Sequence, residues 1–183
     1  MRGGSVHTGD MDNVDDGALT GTDAIELARE VATRAHTGQV DKAGEPYIKH
    51  SQRVARHASE LAAGQGSGFR DAAETVGWLH DVVEDTELDG PDLRRLGFSE
   101  EVVAAVLALT RRARESAPDY ATRVAANELA MVVKRADLAD NTDPARTALL
   151  DEATRVRLAE KYRVFRGLLD GALADKDQGG SGT

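Results

Sequence analysis

Cysteine is absent from this sequence, which excludes a disulfide framework, a thiol nucleophile and a thiolate metal site. Aromatic residues are scarce as well, at 4% of the 183 residues, although hydrophobic residues make up 40%. Because strands favour β-branched and aromatic side chains, this composition favours a core of packed helices over a β-sandwich. The length suits one domain with a substantial core.

Long apolar runs are also missing. No stretch approaches the roughly 20 apolar residues that span a bilayer, and the N-terminus lacks the apolar core of a signal peptide. The sequence therefore predicts a cytoplasmic protein without a membrane partner. It leaves the oligomeric state open, a homo-oligomer included.

Positive charge is in deficit, since 23 basic residues face 32 acidic ones and the formal net charge is -9. Such a surface repels nucleic acid unless a local basic patch overrides it, so we expect no nucleic-acid partner. An anionic small-molecule substrate would have to be held by a focused site.

The ends of the chain differ in composition from its middle. Residues 1–21 and 175–183 are polar and glycine-rich without hydrophobic periodicity, which predicts a disordered leader and a disordered tail. Residues 22–174 then form the single folded domain.

The middle of the chain shows helical periodicity and helix-start signals, with no repeat and no convincing strand. Asp23 and Glu26 have the spacing of a capping pair, and Pro46 suits the first position of a helix. The predicted class is therefore all-α. The helices are expected to begin at Asp23, Pro46, Asp71 (continuing through WLHDVVED), Ser99, Glu128 (to about Asn141) and about Asp151 (to about Leu173).

A dense group of ionisable residues occupies positions 80–85, with the sequence HDVVED. On one helix, His80 and Glu84 are a turn apart, as are Asp81 and Asp85. Three carboxylates so close together repel unless a positive charge lies among them, and a divalent cation would supply it. Taken alone, the segment fits a solvated acidic helix end equally well.

Two residues outside this segment favour the metal-site interpretation. His50 lies on the second predicted helix, and Asp137 interrupts the apolar run VVKRAD. Each by itself fits an ordinary structural histidine or solvated aspartate. Together with His80 and Asp81 they would form an N2O2 ligand set with open positions, which suits Mn²⁺, Fe²⁺ or Zn²⁺ better than Ca²⁺.

Four segments in order, AHTGQVDKAGEPYIKH, WLHDVVEDT, LGFSEEVVAAVLALTRR and VVKRADLADN, carry a family resemblance across residues 35–141. The chain resembles the HD hydrolase domain of the RelA/SpoT family. The synthetase and regulatory regions of its long members have no room here, so the chain looks like a stand-alone small alarmone hydrolase.

This resemblance implies a compact HD-domain helical bundle that removes the 3′-pyrophosphate of (p)ppGpp, giving GDP or GTP and pyrophosphate. The implied cofactor is Mn²⁺, with Fe²⁺, Zn²⁺ and Mg²⁺ as alternatives, and the substrate is a small nucleotide. The implied metal ligands are His50, His80, Asp81 and Asp137, the implied catalytic carboxylates are Glu84 and Asp85, and the implied substrate contacts are Lys42, Tyr47 and Asn141. Lys134 is a further candidate phosphate contact, with an ion pair to the carboxylates as the equal alternative.

The sequence departs from the family at Asp41, where an arginine is usual, and this anion beside a polyphosphate puts the substrate in question. One alternative is an HD phosphohydrolase acting on ppApp, on the phosphate of NADPH or on another nucleoside phosphate. The other is a non-catalytic nucleotide-sensing module. The complete set of ligands and carboxylates argues against a sensor.

Overall fold

The computed structural model describes residues 18–179, with side chains described to residue 176. Over these residues the chain forms helices joined by turns, and the only β-type pairings are two isolated bridges, Leu19–Phe98 and Val40–Pro46. The all-α prediction is confirmed. The helices are α1 Gly21–Ala35, α2 Ile48–Leu61, α3 Ser67–Leu79, α4 Val82–Asp85, α5 Gly90–Arg95, α6 Glu100–Leu109, α7 Ala117–Ala126, α8 Glu128–Asn141, α9 Pro144–Thr147 and α10 Glu152–Gly179.

Helix starts agree with the local signals where a side chain bonds the first turn. Ser99 accepts a hydrogen bond from the amide of Val102 at the start of α6, as predicted. At the start of α8, Asn127 accepts one from the amide of Ala130. Asp23 and Asp71 are not caps, because α1 begins at Gly21 and α3 at Ser67.

The loop between α1 and α2 delays the start of α2 to Ile48, two residues later than predicted. Its backbone closes on itself: the Asp41 amide donates to the Glu45 carbonyl at 2.8 Å, and the Tyr47 amide donates to the Gln39 carbonyl at 3.0 Å. Pro46 belongs to this bridged loop and does not begin the helix.

The predicted continuous helix through residues 80–85 is wrong, because α3 ends at Leu79 and α4 begins at Val82. The ring nitrogen Nδ1 of His80 lies 2.8 Å from the carbonyl oxygen of Gly77. In a continuous helix this carbonyl would accept from the amide of Asp81, so the imidazole competes with the backbone there. His80 and Asp81 therefore lie at a junction between two helices.

Both ends of the domain extend beyond the predicted limits. The Leu19 amide donates to the Gly97 carbonyl at 2.8 Å, which fixes part of the predicted leader against the α5–α6 turn. Helix α10 continues to Gly179 and therefore includes residues 175–179 of the predicted tail. Residues 1–17 and 180–183 lie outside the described residues.

Helix α3 lies at the centre of the fold, where it packs against α1, α2, α6 and α8. Small side chains allow these helices to approach closely, and a Cβ atom built on Gly77 would lie 2.5 Å from the Cα of Ala55 in α2. The core is accordingly rich in alanine and valine. On the other side, α10 packs against α7, with Phe165 stacked on Tyr120 at a ring distance of 5.3 Å.

No helix in the described part of the chain has both the length and the apolar character of a membrane span.

Replacing Gly77 with alanine should lower the free energy of unfolding by about 1–3 kcal/mol, because the added methyl meets the backbone of α2. Gly171→Ala in α10 is the matched control, since no described atom lies within 4 Å of its Cβ position. The control should be neutral or more stable by about 0.5–1 kcal/mol. Chemical denaturation measures both changes. Equal effects would contradict the close α2–α3 contact.

Arg123 joins the C-terminal end of α6 to the loop that follows it. Its guanidinium donates to the carbonyls of Leu107, Ala108 and Thr110 and to both carboxylate oxygens of Glu115, at 2.6–3.0 Å. The hydrogen bonds from Arg123 lower the pKa of Glu115 to about 2. Because the folded-state pKa is lowered, the stabilisation is present above the ordinary pKa of 4.5 and is lost as the pH falls towards 2.

Glu115→Gln should therefore destabilise the protein at pH 7, and the difference from wild type should shrink steadily between pH 4.5 and pH 2. Denaturation curves at several pH values measure it. Glu87→Gln, an exposed substitution, is the control and should show little effect at any pH. A difference for Glu115→Gln that stayed constant with pH would refute the ion pair.

Candidate metal centre and its cavity

The four predicted metal ligands converge at one point, although they come from three parts of the chain. His50 lies on α2, His80 and Asp81 lie at the α3–α4 junction, and Asp137 lies on α8. His50 Nε2 is 3.5 Å from Asp137 Oδ1 and 3.8 Å from Asp81 Oδ2, and His80 Nε2 is 2.8 Å from Asp81 Oδ2. One ligand atom each from His50, His80 and Asp81 lie within 4.8 Å of one another.

Both imidazoles are oriented by their outer ring nitrogens. His80 Nδ1 lies 2.8 Å from the Gly77 carbonyl oxygen, and His50 Nδ1 lies 2.7 Å from Asp140 Oδ2. Because Nδ1 must donate to these oxygens, Nε2 is left to face the carboxylates in each ring. His80 Nε2 is buried and has no hydrogen-bond partner among the described residues, despite its close approach to Asp81. Metal-ligating histidines typically have this arrangement, so the residues fit a divalent cation.

The pKa values reflect the crowding of these groups. Burial by itself lowers the pKa of His50, but hydrogen bonds to Asp137 and Asp140 and the nearby charges raise it to about 9. Burial opposes ionisation of Asp137 too, yet the charge of Lys134 and the bond to His50 hold its pKa well below the usual value. Protons on the histidines thus offset the two carboxylates, and a bound cation would take the place of those protons.

Three predicted substrate contacts are bonded to the carboxylates of Asp81 and Asp137. The Tyr47 hydroxyl donates to Asp81, and the Asn141 amide donates to Asp137. Lys134 Nζ donates to Asp137 Oδ2 at 2.9 Å, so the ion pair is the alternative present in the structure. Burial and the charge of Asp81 raise the pKa of Tyr47, which keeps its hydroxyl protonated as a donor.

The carboxylates of Glu84 and Asp85 are exposed on α4, beside the centre. The Arg111 amide donates to Glu84 Oε2 at 2.8 Å, which fixes the direction of that carboxylate. Burial and the charges of Asp81 and Glu84 raise the pKa of Asp85. The Gln39 amide also donates to the Asp85 carbonyl at 3.2 Å, which ties α4 to the α1–α2 loop.

A cavity of about 380 Å³ opens over the centre. Nine of the ten predicted site residues line it, and His80 lies behind them. Its wall includes the cations of Lys42, Lys134, Arg146 and Lys161, in a protein of net charge -9. Burial and the neighbouring charges of Lys42, Lys134 and Arg111 lower the pKa of Lys161. The cavity therefore concentrates positive charge around a carboxylate-rich floor.

Sequence reasoning missed four charged residues of this region: Arg53, Asp140, Arg146 and Lys161. Asp140 has a signal in its spacing, because it follows Asp137 by three residues and lies near the same face of α8. Arg146 and Lys161 have no local signal. The predicted repulsion by Asp41 also needs correction, because Arg146 Nη2 donates to Asp41 Oδ2 at 2.7 Å and offsets its charge.

The HD domain family model matches residues 47–143, a range that includes the four predicted metal ligands His50, His80, Asp81 and Asp137. Among similar proteins, a GTP pyrophosphokinase of Streptomyces coelicolor is 42% identical over 87 residues, which are 48% of this chain and 9% of that protein. A GTP pyrophosphokinase of Myxococcus xanthus is 30% identical over 151 residues, 76% of this chain and 19% of that protein.

A guanosine-3′,5′-bis(diphosphate) 3′-pyrophosphohydrolase of Borreliella burgdorferi is 32% identical over 88 residues, 48% of this chain and 12% of that protein. The chain thus spans only 9% to 19% of the length of these three relatives. A solved structure described as a metazoan ortholog of SpoT that hydrolyzes ppGpp has the same fold, with a TM-score of 0.65 at 21% identity, over 85% of this chain and 88% of that one. With the family model matching over half of its residues, the chain belongs to the HD domain family.

Proposed function

We propose that the chain is a metal-dependent phosphohydrolase that removes the 3′-pyrophosphate of (p)ppGpp-type alarmones, giving GDP or GTP and pyrophosphate. The observation that carries this proposal is the convergence of His50, His80, Asp81 and Asp137 beneath a cavity lined with cations. An anionic phosphate compound fits such a cavity, because its charge would be offset by the lysines above and a divalent cation below.

The choice of alarmone rests on the similar proteins. The Borreliella burgdorferi protein is named for 3′-pyrophosphohydrolysis of guanosine-3′,5′-bis(diphosphate), and the metazoan SpoT ortholog is described as hydrolysing ppGpp. The HDVVED and GEPYIKH segments, which carry the resemblance to this family, both contribute residues to the cavity wall: Asp81, Glu84 and Asp85 from the first, and Tyr47 and His50 from the second. The pairing of Asp41 with Arg146 supports the same choice, because it offsets the negative charge that suggested another nucleotide.

We propose Mn²⁺ as the cation, with Fe²⁺, Zn²⁺ and Mg²⁺ as alternatives, because two imidazoles and two carboxylates without sulfur suit these ions. When bound, a divalent cation would supply Lewis acidity towards the phosphate and would acidify water. His50, His80, Asp81 and Asp137 would hold it. Tyr47, Asn141 and Lys134 would keep the two aspartates in place through the hydrogen bonds already described.

In the proposed reaction, the oxygen of water forms a bond to the phosphorus attached to the ribose 3′-oxygen, and the bond from that phosphorus to the 3′-oxygen breaks. Glu84, held by the Arg111 amide, takes a proton from the water. Asp85, next to Glu84 on the cavity wall, would help to position the water or the phosphate, and the departing 3′-oxygen takes up the proton that the water released. Lys42 and Lys161 offset the charge of the phosphates from the cavity wall.

Metal binding is tested by thermal unfolding with and without Mn²⁺. At a hundred times its dissociation constant, Mn²⁺ should stabilise the wild type by about 2.7 kcal/mol. His80→Ala and Asp137→Ala should lose this metal-dependent shift. His57→Ala is the control, since His57 lies on α2 two turns beyond His50 and should retain the shift. An undiminished shift in His80→Ala would refute the metal site.

Activity is tested with metal-loaded protein and ppGpp, by measuring release of pyrophosphate. We expect turnover in the wild type and a loss of about 100-fold to 10,000-fold in Glu84→Gln, the usual contribution of a general base. Glu84→Gln should keep the Mn²⁺-dependent stabilisation, which separates catalysis from metal binding. Parallel assays with pppGpp, ppApp and NADPH compare the turnover of these candidate substrates with that of ppGpp. Turnover of ppApp or NADPH alone would refute the alarmone assignment, and binding without turnover would favour a sensor.

A further inference from the structure

Asp140 is a buried carboxylate that accepts hydrogen bonds from three cationic or polar side chains. Its residue is 1% exposed, and its oxygens lie 2.7 Å from His50 Nδ1 and 2.5 Å from Arg53 Nε. Arg146 Nη1 donates to the same carboxylate. Donors thus surround the Asp140 carboxylate, and one of these contacts holds the ring of a proposed metal ligand.

Arg146 joins this buried carboxylate to Asp41, which lines the cavity from the α1–α2 loop. Nη1 also donates to the Asp140 carbonyl at 3.0 Å, while Nη2 donates to Asp41 Oδ2 at 2.7 Å. The short helix α9 presents Arg146 in this position, because Asp143 accepts from the amides of Ala145 and Arg146 at 2.7 and 3.3 Å. One planar guanidinium therefore binds two carboxylates from distant parts of the chain.

Asp41 uses its second oxygen to close its own loop. Oδ1 accepts from the amides of Ala43 and Glu45 at 2.9 and 3.0 Å. The same loop contributes Lys42 and Tyr47 to the cavity wall. A hydrogen-bonded chain thus runs from the loop through Asp41, Arg146 and Asp140 to the His50 ring.

We propose that Asp140 and Arg146 are positioning residues for this site. Asp140 fixes the His50 ring with Nε2 directed to the proposed metal, and Arg146 sets the Lys42 loop relative to that ring through Asp41. In this chain the anion at position 41 serves as the anchor of the loop, where the resemblance would place an arginine. The consequence for substrate binding rests on the proposed hydrolase function, whereas the consequence for metal binding does not.

The first test measures Mn²⁺ affinity by calorimetry in Asp140→Asn. The amide keeps the shape but is a weaker acceptor for Nδ1–H, so the affinity should fall by about 10-fold to 100-fold. Arg146→Gln should lower it less. Arg94→Gln is the matched control. It removes a surface arginine that is bonded to Glu100 and not to the residues of the site, and it should leave the affinity unchanged. Wild-type affinity in Asp140→Asn, with the fold intact by circular dichroism, would overturn the proposal.

The second test separates the loop from the metal. Asp41→Asn should raise the KM for ppGpp by about 10-fold while Mn²⁺ affinity and kcat stay near wild type. In protein that already carries Arg146→Gln, Asp41→Asn should raise the KM little further, because the Arg146–Asp41 contact is already lost. Additive effects of the two substitutions on KM would overturn the coupling.

A measurement that does not depend on turnover distinguishes the hydrolase proposal from the positioning proposal. Amide chemical shifts of residues 41–47 should move in Arg146→Gln and remain unchanged in Arg94→Gln. Unmoved loop signals in Arg146→Gln would also overturn the coupling. If wild type fails to hydrolyse ppGpp but the affinity and loop changes occur, the hydrolase assignment fails and the positioning roles stand.

Discussion

The structure depends on how two buried imidazoles are held. Each has its outer nitrogen on an oxygen acceptor, the Gly77 carbonyl for His80 and the Asp140 carboxylate for His50. Both inner nitrogens are thereby turned towards Asp81 and Asp137, an arrangement that concentrates negative charge on the floor of the cavity. Such a cluster is stable only with protons or a cation among its members, so it is prepared for a divalent ion before one arrives.

The packing of the helices brings the two imidazoles together. Helices α2 and α3 touch backbone to backbone at Ala55 and Gly77, which brings His50 and His80 to a ring distance of 5.1 Å. Asp81 follows the helix break after Leu79 and approaches His80 Nε2 to 2.8 Å through Oδ2. Larger residues at this crossing would separate the imidazoles, so the small-residue core and the geometry of the site share one cause.

The charge distribution connects the site with its proposed chemistry. The chain is acidic overall, yet Lys42, Lys134, Arg146 and Lys161 gather on one cavity wall. Two of these cations, Lys134 and Arg146, are bonded to buried carboxylates, whereas Lys42 and Lys161 remain to offset substrate phosphates in the proposed reaction. A focused cationic surface of this kind would attract a small polyanion.

The residue pattern alone predicted the all-α class, the N-terminal cap of α6 and the extent of α8, because periodicity and capping are local properties. It also predicted the convergence of His50, His80, Asp81 and Asp137, through motifs whose residue types and order imply a shared ligand set. Helix packing, by contrast, fixed the partnership of His50 with Asp140 across 90 residues and that of Asp41 with Arg146 across 105 residues. Contacts at such separations arise from how helices pack, and no local pattern specifies which distant charge will meet another in the folded chain.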